Sequence, residues 1–189
     1  YPVHRLDRPT SGVLLYALTS DRAREFGELW KNHAVQKAYI AVVRGWLHEP
    51  QTCDRALTSE MKDSALEART HFIPIARATL PHPVGDFASA RVSLVWAMPE
   101  TGRFHQIRRH LASMSHPILG DTVHGDGRYN RIARAQGCTS LMLKAYGLSW
   151  PGQSWITSRW SGDWHSVFDT LGACPLPVPP LMKHGLNRI

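Results

Sequence analysis

His4-Arg5-Leu6-Asp7-Arg8-Pro9-Thr10-Ser11-Gly12 leads directly into the apolar run Val13-Leu14-Leu15-Tyr16-Ala17-Leu18. Proline fixes its own backbone and removes a donor, and glycine permits a tight bend. The pattern predicts an ordered, charged loop entering a strand, with Asp7 held on that loop. Arg5 and Arg8 flank the carboxylate with planar cations suited to phosphates or bases. Local chemistry alone reads the group as a loop ion pair.

Working outward, the 189-residue chain is long enough to bury one substantial core. An apolar share of 43% with seven tryptophans excludes a disordered chain. Lys and Arg total 22 against 15 acidic residues, a net charge of +7 that suits a polyanionic partner, above all nucleic acid. The three cysteines, Cys53, Cys138 and Cys174, are far apart, so a disulfide framework is not expected and a reducing cytoplasm is. No apolar run approaches a membrane span, and no membrane partner is expected.

Thr19 or Ser20 can cap a helix whose Ala23, Phe26, Leu29 and Trp30 share one face. Gln36 to Gly45 reads as a central strand, apolar on both sides. Residues 49–65 read as an irregular, substrate-facing loop. Strands follow over 70–79 and 88–98, the second with Val92, Leu94 and Trp96 alternating as in a half-buried strand. A helix is predicted over 105–114, a glycine-rich loop over 120–127, and a strand pair over 141–150 and 154–160. Asp163 caps a short helix with Trp164, Val167, Phe168 and Leu171 inward. One domain over 1–174 and a proline-rich tail over 175–189 result, with an α+β fold built on a mixed, largely antiparallel sheet flanked by helices.

Eleven histidines raise the question of a metal. His105 and His110 are five apart and point about 140° from each other on a helix. His116 and His124 lack a nearby thiolate pair. No metal is expected, and no cofactor fingerprint occurs.

His-Arg-Leu-Asp-Arg-Pro-Thr-Ser-Gly resembles the catalytic motif of the RluA-type pseudouridine synthases, which convert uridine in RNA to its C-glycoside isomer. Three further segments resemble the same family in order: Lys37-Ala38-Tyr39, Thr101-Gly102-Arg103-Phe104-His105-Gln106-Ile107-Arg108-Arg109-His110, and Gly120-Asp121-Thr122-Val123-His124-Gly125. Most of the family carries tyrosine where His124 stands. With Asp126-Gly127-Arg128-Tyr129-Asn130-Arg131 behind it, this segment is similar to the branch called tRNA pseudouridine synthase C.

The resemblance implies the pseudouridine synthase fold and isomerisation of a tRNA uridine in the acceptor or T-stem region, by base flipping and without a cofactor. Asp7 would assist breakage of the glycosidic bond. Tyr39 would stack on the uracil, and Arg108 would form a buried bidentate ion pair with Asp7. Arg5 would fill the space the flipped base vacates; Arg8, His124, Arg128 and Arg131 would contact RNA, and Arg109 its backbone. A cytoplasmic monomer without an obligate protein partner is expected. A segment of roughly half a hundred residues, itself part of the fold, would precede Tyr1. Ribosomal RNA is the alternative substrate; a non-catalytic RNA-binding module and a His/Asp hydrolase are the alternative classes.

Overall fold

The computed structural model describes residues 1–59, 62–160 and 162–171. In chain order they form β1 (Ser11–Gly12), α1 (Ser20–Lys31), β2 (Gln36–Arg44), β3 (Gln51–Cys53), β4 (Leu57–Ser59), β5 (Lys62–Leu66), β6 (Thr70–Leu80), β7 (Ala90–Pro99), α2 (Gln106–Ser113), α3 (Gly127–Ala135), β8 (Leu143–Trp150), β9 (Gln153–Thr157) and α4 (Asp163–Leu171). The main sheet runs β1-β8-β2-β7-β6-β3, with β9 added beside β8. Only the β1–β8 pairing is parallel; the rest are antiparallel. This is the expected α+β architecture.

β2 is central because both its faces are apolar: Ala38, Ile40, Ala41, Val42 and Val43 are all buried. Register puts Ile40, Trp96 and Lys144 on one face. There Tyr146 stacks on Trp160, which meets Phe168 of α4 edge-on. Trp164, Val167, Phe168 and Leu171 point inward as predicted. The Asp163 carboxylate reaches away from its helix and accepts from the Thr139 amide and the Ser140 hydroxyl, tying α4 to the approach to β8. Tyr39, Ala41 and Leu143 lie on the other face, which α2 covers with buried Ile107 and Leu111.

α1 is capped by the Thr19 hydroxyl, and its half-buried residues include the predicted stripe Ala23, Phe26, Leu29 and Trp30. Phe26 packs edge-on to Trp150, and Trp30 stacks on His4 at 4.8 Å. His4 in turn accepts the Leu15 amide at 2.9 Å, so α1 steadies the Asp7 loop.

Several sequence expectations are corrected. The apolar run after Gly12 is not a continuous strand: the ladder to β8 ends after Ser11 and Gly12, the run then pairs with the chain start only through an isolated Pro2–Tyr16 bridge, and Leu18 is left 94% exposed. Residues 49–65 are not an irregular loop; they supply β3 and a separate β4–β5 hairpin. β7 is buried on both faces except at Arg91, because it lies between β2 and β6 beneath packed layers. The helix α3 arises where no element was expected, capped by Asp126, whose carboxylate accepts the Arg128 amide at 2.8 Å. The proline-rich tail lies outside the described residues, as does Cys174.

Candidate active site

A cleft of about 280 Å³ opens beside the β2–β8 face, with Asp7, Tyr39, Arg108 and Leu143 around its interior. The loop from β7 into α2 supplies one wall. Its shape is set by Gln106, buried and satisfied at both ends of its amide. The Gln106 carbonyl oxygen accepts from the Thr101 hydroxyl and the Arg103 amide; its nitrogen donates to the Arg69 carbonyl and the Thr70 hydroxyl. Leaving such an amide unpaired would cost about 1–3 kcal/mol, so the loop is held firmly.

Arg108 enters this cleft from the first turn of α2, its side chain 3% exposed. It does not form the expected bidentate pair with Asp7. Nε and Nη2 donate to Asp121 at 2.7 and 2.8 Å, and only Nη1 turns to Asp7, at 3.5 Å. Asp121 wins because its carboxylate is buried beside the guanidinium and also accepts the Val123 and His124 amides, both at 2.9 Å. Burial pushes the Asp121 carboxyl upward, but the Arg108 hydrogen bonds and those two amides outweigh it and hold it below the ordinary carboxylate value. Hydrogen bonds to Asp121 in turn raise Arg108 further, against its own burial.

Asp7 is thereby left half-open, with 22% of its side chain exposed. Its carbonyl accepts the Thr10 amide at 2.8 Å, closing the turn that carries it. The Thr10 hydroxyl is buried in the cleft wall and has no hydrogen-bond partner among the described residues. Tyr39 lies on the sheet face with Leu143. Burial, then the Asp7 charge, pushes its hydroxyl up to about 12. Lys37 donates to the Glu100 and Thr101 carbonyls at 3.3 and 3.1 Å. Burial and the Arg103 charge lower it to about 8, against the pull of Glu100.

His105 stands beside this group in the left-handed backbone region, at φ 51°. It precedes α2 rather than belonging to it, and its side chain makes no capping bond. Its ring stacks on Phe104, sets Nε2 3.9 Å from Asp7 and meets His124 at 3.0 Å through Nδ1.

The structure therefore brings Asp7, Tyr39 and Arg108 together, with exposed Arg5 at the same cleft. Arg8 is exposed on the Asp7 loop. Arg128 and Arg131 are exposed on α3 and do not line the cleft; Arg128 pairs with Asp126 at 3.5 Å. His124 is half-buried and faces His105. Arg109 is engaged by the Thr58 carbonyl and hydroxyl, both at 3.0 Å, which pins the β4–β5 hairpin to α2. Sequence reasoning missed Asp121 as the partner of Arg108, and Lys37, Thr10 and Leu143 as cleft residues. For Asp121 the usable signal was its placement three residues before His124 in a recognised segment. No group of three or more potential metal ligands occurs among the described residues. No helix among them is long and apolar enough to cross a membrane.

This geometry coincides with clear relationships to known proteins. Proteins named tRNA pseudouridine synthase C are similar along most of the chain. The one from Yersinia pestis is 44% identical over 188 residues, covering 91% of this chain and 73% of that protein. That from Pectobacterium carotovorum is 43% identical, with 91% and 50% covered. That from Haemophilus influenzae is 37% identical, with 91% and 79% covered. The chain thus spans from half to about four fifths of these relatives' lengths. Human RNA pseudouridylate synthase domain containing 1 superposes with a TM-score of 0.66 at 26% identity, covering 93% of this chain and 81% of that one. Human RNA pseudouridylate synthase domain containing 4 shares the fold at a TM-score of 0.69 and 22% identity, with 91% and 76% covered. A family model described as RNA pseudouridylate synthase matches residues 1–113, and the chain belongs to that family.

Proposed function

We propose that this protein isomerises uridine to pseudouridine in tRNA, in the acceptor or T-stem region, with Asp7 as the group that opens the glycosidic bond. The observation that carries the reading is the Asp7 carboxylate, half-open in a cleft with Tyr39 and a guanidinium already fixed by another acid. A uridine must leave its stack before it can enter such a cleft. Arg5, exposed at the cleft, would fill the vacated space, with Arg8, Arg128 and Arg131 contacting phosphates.

Asp7 acts on the ribose either as nucleophile at C1′ or as acceptor of a sugar proton, and the C1′–N1 bond breaks. Uracil, retained against Tyr39 and Leu143, turns so that C5 faces C1′, and the C1′–C5 bond forms as the Asp7–C1′ bond breaks or as Asp7 returns the sugar proton, which frees the carboxylate. The proton on C5 then leaves and N1, freed from the sugar, takes one up, so substrate and product have the same composition. Tyr39 is held protonated by burial and by the charge of Asp7. Protonated, its hydroxyl assists the base that takes the C5 proton and does not itself accept that proton. No step calls for an added cofactor. A cytoplasmic monomer completes the proposal.

The test is tritium release from tRNA labelled at uridine C5, with the intact protein and its Asp7→Ala variant. Release that falls to background in the variant is expected. Release from ribosomal RNA alone would move the substrate. Unimpaired tRNA binding with no release from either RNA would leave a binding module.

A further inference from the structure

His124 does not stand free for RNA: its Nε2 lies 3.0 Å from Nδ1 of His105, whose Nε2 lies 3.9 Å from an Asp7 carboxylate oxygen. We propose that His124 is a positioning residue for the isomerisation, fixing the tautomer and orientation of His105 so that an N–H, not a lone pair, faces Asp7. The proposal rests on the synthase reading and extends it to a residue standing where most of the family has tyrosine.

Two neutral rings in contact through nitrogen need one donor and one acceptor. If His105 donated from Nδ1, its bare Nε2 lone pair would point at the carboxylate of Asp7, which is repulsive. If His124 donates from Nε2, His105 accepts at Nδ1 and carries its proton on Nε2, directed at Asp7. Electrostatics selects the second arrangement. The charged groups facing the pair are Asp7 on the loop before β1, Arg108 and Arg109 on α2, and Asp121 on the loop bearing His124. Burial is the foremost influence on both rings and favours their neutral forms.

The surrounding structure is built for this contact. Residue 105 occupies the helix-cap position, where a side chain ordinarily bonds the first amides, yet His105 makes no such bond. Its left-handed backbone carries the ring toward Asp7, and Phe104 stacks on it at 3.7 Å. The His124 amide is itself fixed by Asp121, the residue that clamps Arg108. One acid thus sets both groups that face Asp7. The 3.9 Å gap is long for a hydrogen bond and is of the kind that tightens when substrate is in place.

The experiment compares the intact protein with His124→Phe, which keeps a ring without a nitrogen, and His124→Gln, whose amide nitrogen can donate from nearly the same place. For His124→Phe, kcat falls about tenfold while KM and tRNA affinity stay within about twofold, and His124→Gln recovers most of the rate. In the parent, imidazole 15N shifts show His105 protonated at Nε2. The shifts decide the matter even if a variant fails to fold: a proton on Nδ1 of His105 overturns the proposal. So does an active parent with His124→Phe equally fast, or with weakened tRNA binding and unchanged kcat, which makes His124 an RNA contact. A parent without tritium release defeats the synthase reading first, and the inference with it.

Discussion

Arg108 is clamped by Asp121 through two hydrogen bonds of 2.7 and 2.8 Å, and this clamp, not Asp7, fixes its guanidinium. An Asp7 held bidentately would have both oxygens tied up. Held at 3.5 Å by one nitrogen, it faces a fixed positive charge yet can move toward substrate.

The clamp makes Asp121→Ala a severe change. Removing one partner of a buried ion pair typically costs about 3–5 kcal/mol, because the other charge is left buried. Urea unfolding should show a loss of that order. The freed Arg108 can then turn to Asp7, so single-turnover isomerisation should fall even at temperatures where the variant is folded.

The same pair carries a pH signature. The folded Asp121 carboxyl lies below its ordinary value, so its contribution is complete above that value and is lost as pH falls through the folded one. Parent stability should therefore decline below about pH 4 more steeply than that of Asp121→Ala. Unfolding midpoints measured from pH 7 to pH 3 check the sign.

Tyr39→Phe should separate binding from chemistry. Phenylalanine keeps the ring on the sheet face and removes a hydroxyl that stays protonated up to about 12. Affinity for tRNA and thermal stability should change little. If the hydroxyl assists the base that takes the C5 proton, the single-turnover rate should fall by about 10²–10⁴, the usual range for a lost acid–base group.

Lys37 predicts a proton linkage. Burial and Arg103 lower it to about 8, and an approaching phosphate would raise it again. Above pH 8 the free protein has lost this proton, so binding RNA must take one up and affinity should fall with rising pH. In Lys37→Met that dependence should flatten between pH 7 and 9, as read by titration with tRNA. A slope unchanged by the substitution would remove Lys37 from the RNA contact.

Strand β2, the apolar face of α1 and the inward residues of α4 were legible because burial imposes a period on sequence. The convergence of Asp7, Tyr39 and Arg108 was legible only through recognised motifs, since they come from three separate elements. Apart from the place of Asp121 in a recognised segment, its clamp on Arg108 was not legible. Which of two carboxylates takes a guanidinium depends on burial and on backbone amides, and neither has a sequence period. The apolar run 13–18 misled for a related reason: apolarity predicts a strand, but a strand also needs a continuous partner, and beyond the pairing of Ser11 and Gly12 with β8 this run finds only an isolated bridge from Tyr16 to Pro2. Lys37 reads as a solvated charge until the 100–105 loop is folded over it.

Glycine substitutions at two positions should act in opposite directions. Gly12 has φ +123°, and a methyl group built there would lie 2.0 Å from the Ala145 carbonyl oxygen. That backbone belongs to β8, and the next amide, Val13, donates to the same oxygen at 2.8 Å. Gly12→Ala must therefore push β1 off β8 as well as occupy an unfavourable backbone region, costing at least about 1–3 kcal/mol. Because Asp7 lies five residues upstream on the loop this pairing anchors, kcat should fall further than stability alone explains. Gly27 is the counterexample: it sits mid-helix in α1 with nothing within 4 Å of the added methyl. Gly27→Ala should stabilise the fold by about 0.5–1 kcal/mol and leave isomerisation untouched. Thermal unfolding of both variants beside single-turnover rates tests the pair. A Gly12→Ala protein with parental kcat would mean that the β1–β8 pairing does not place Asp7.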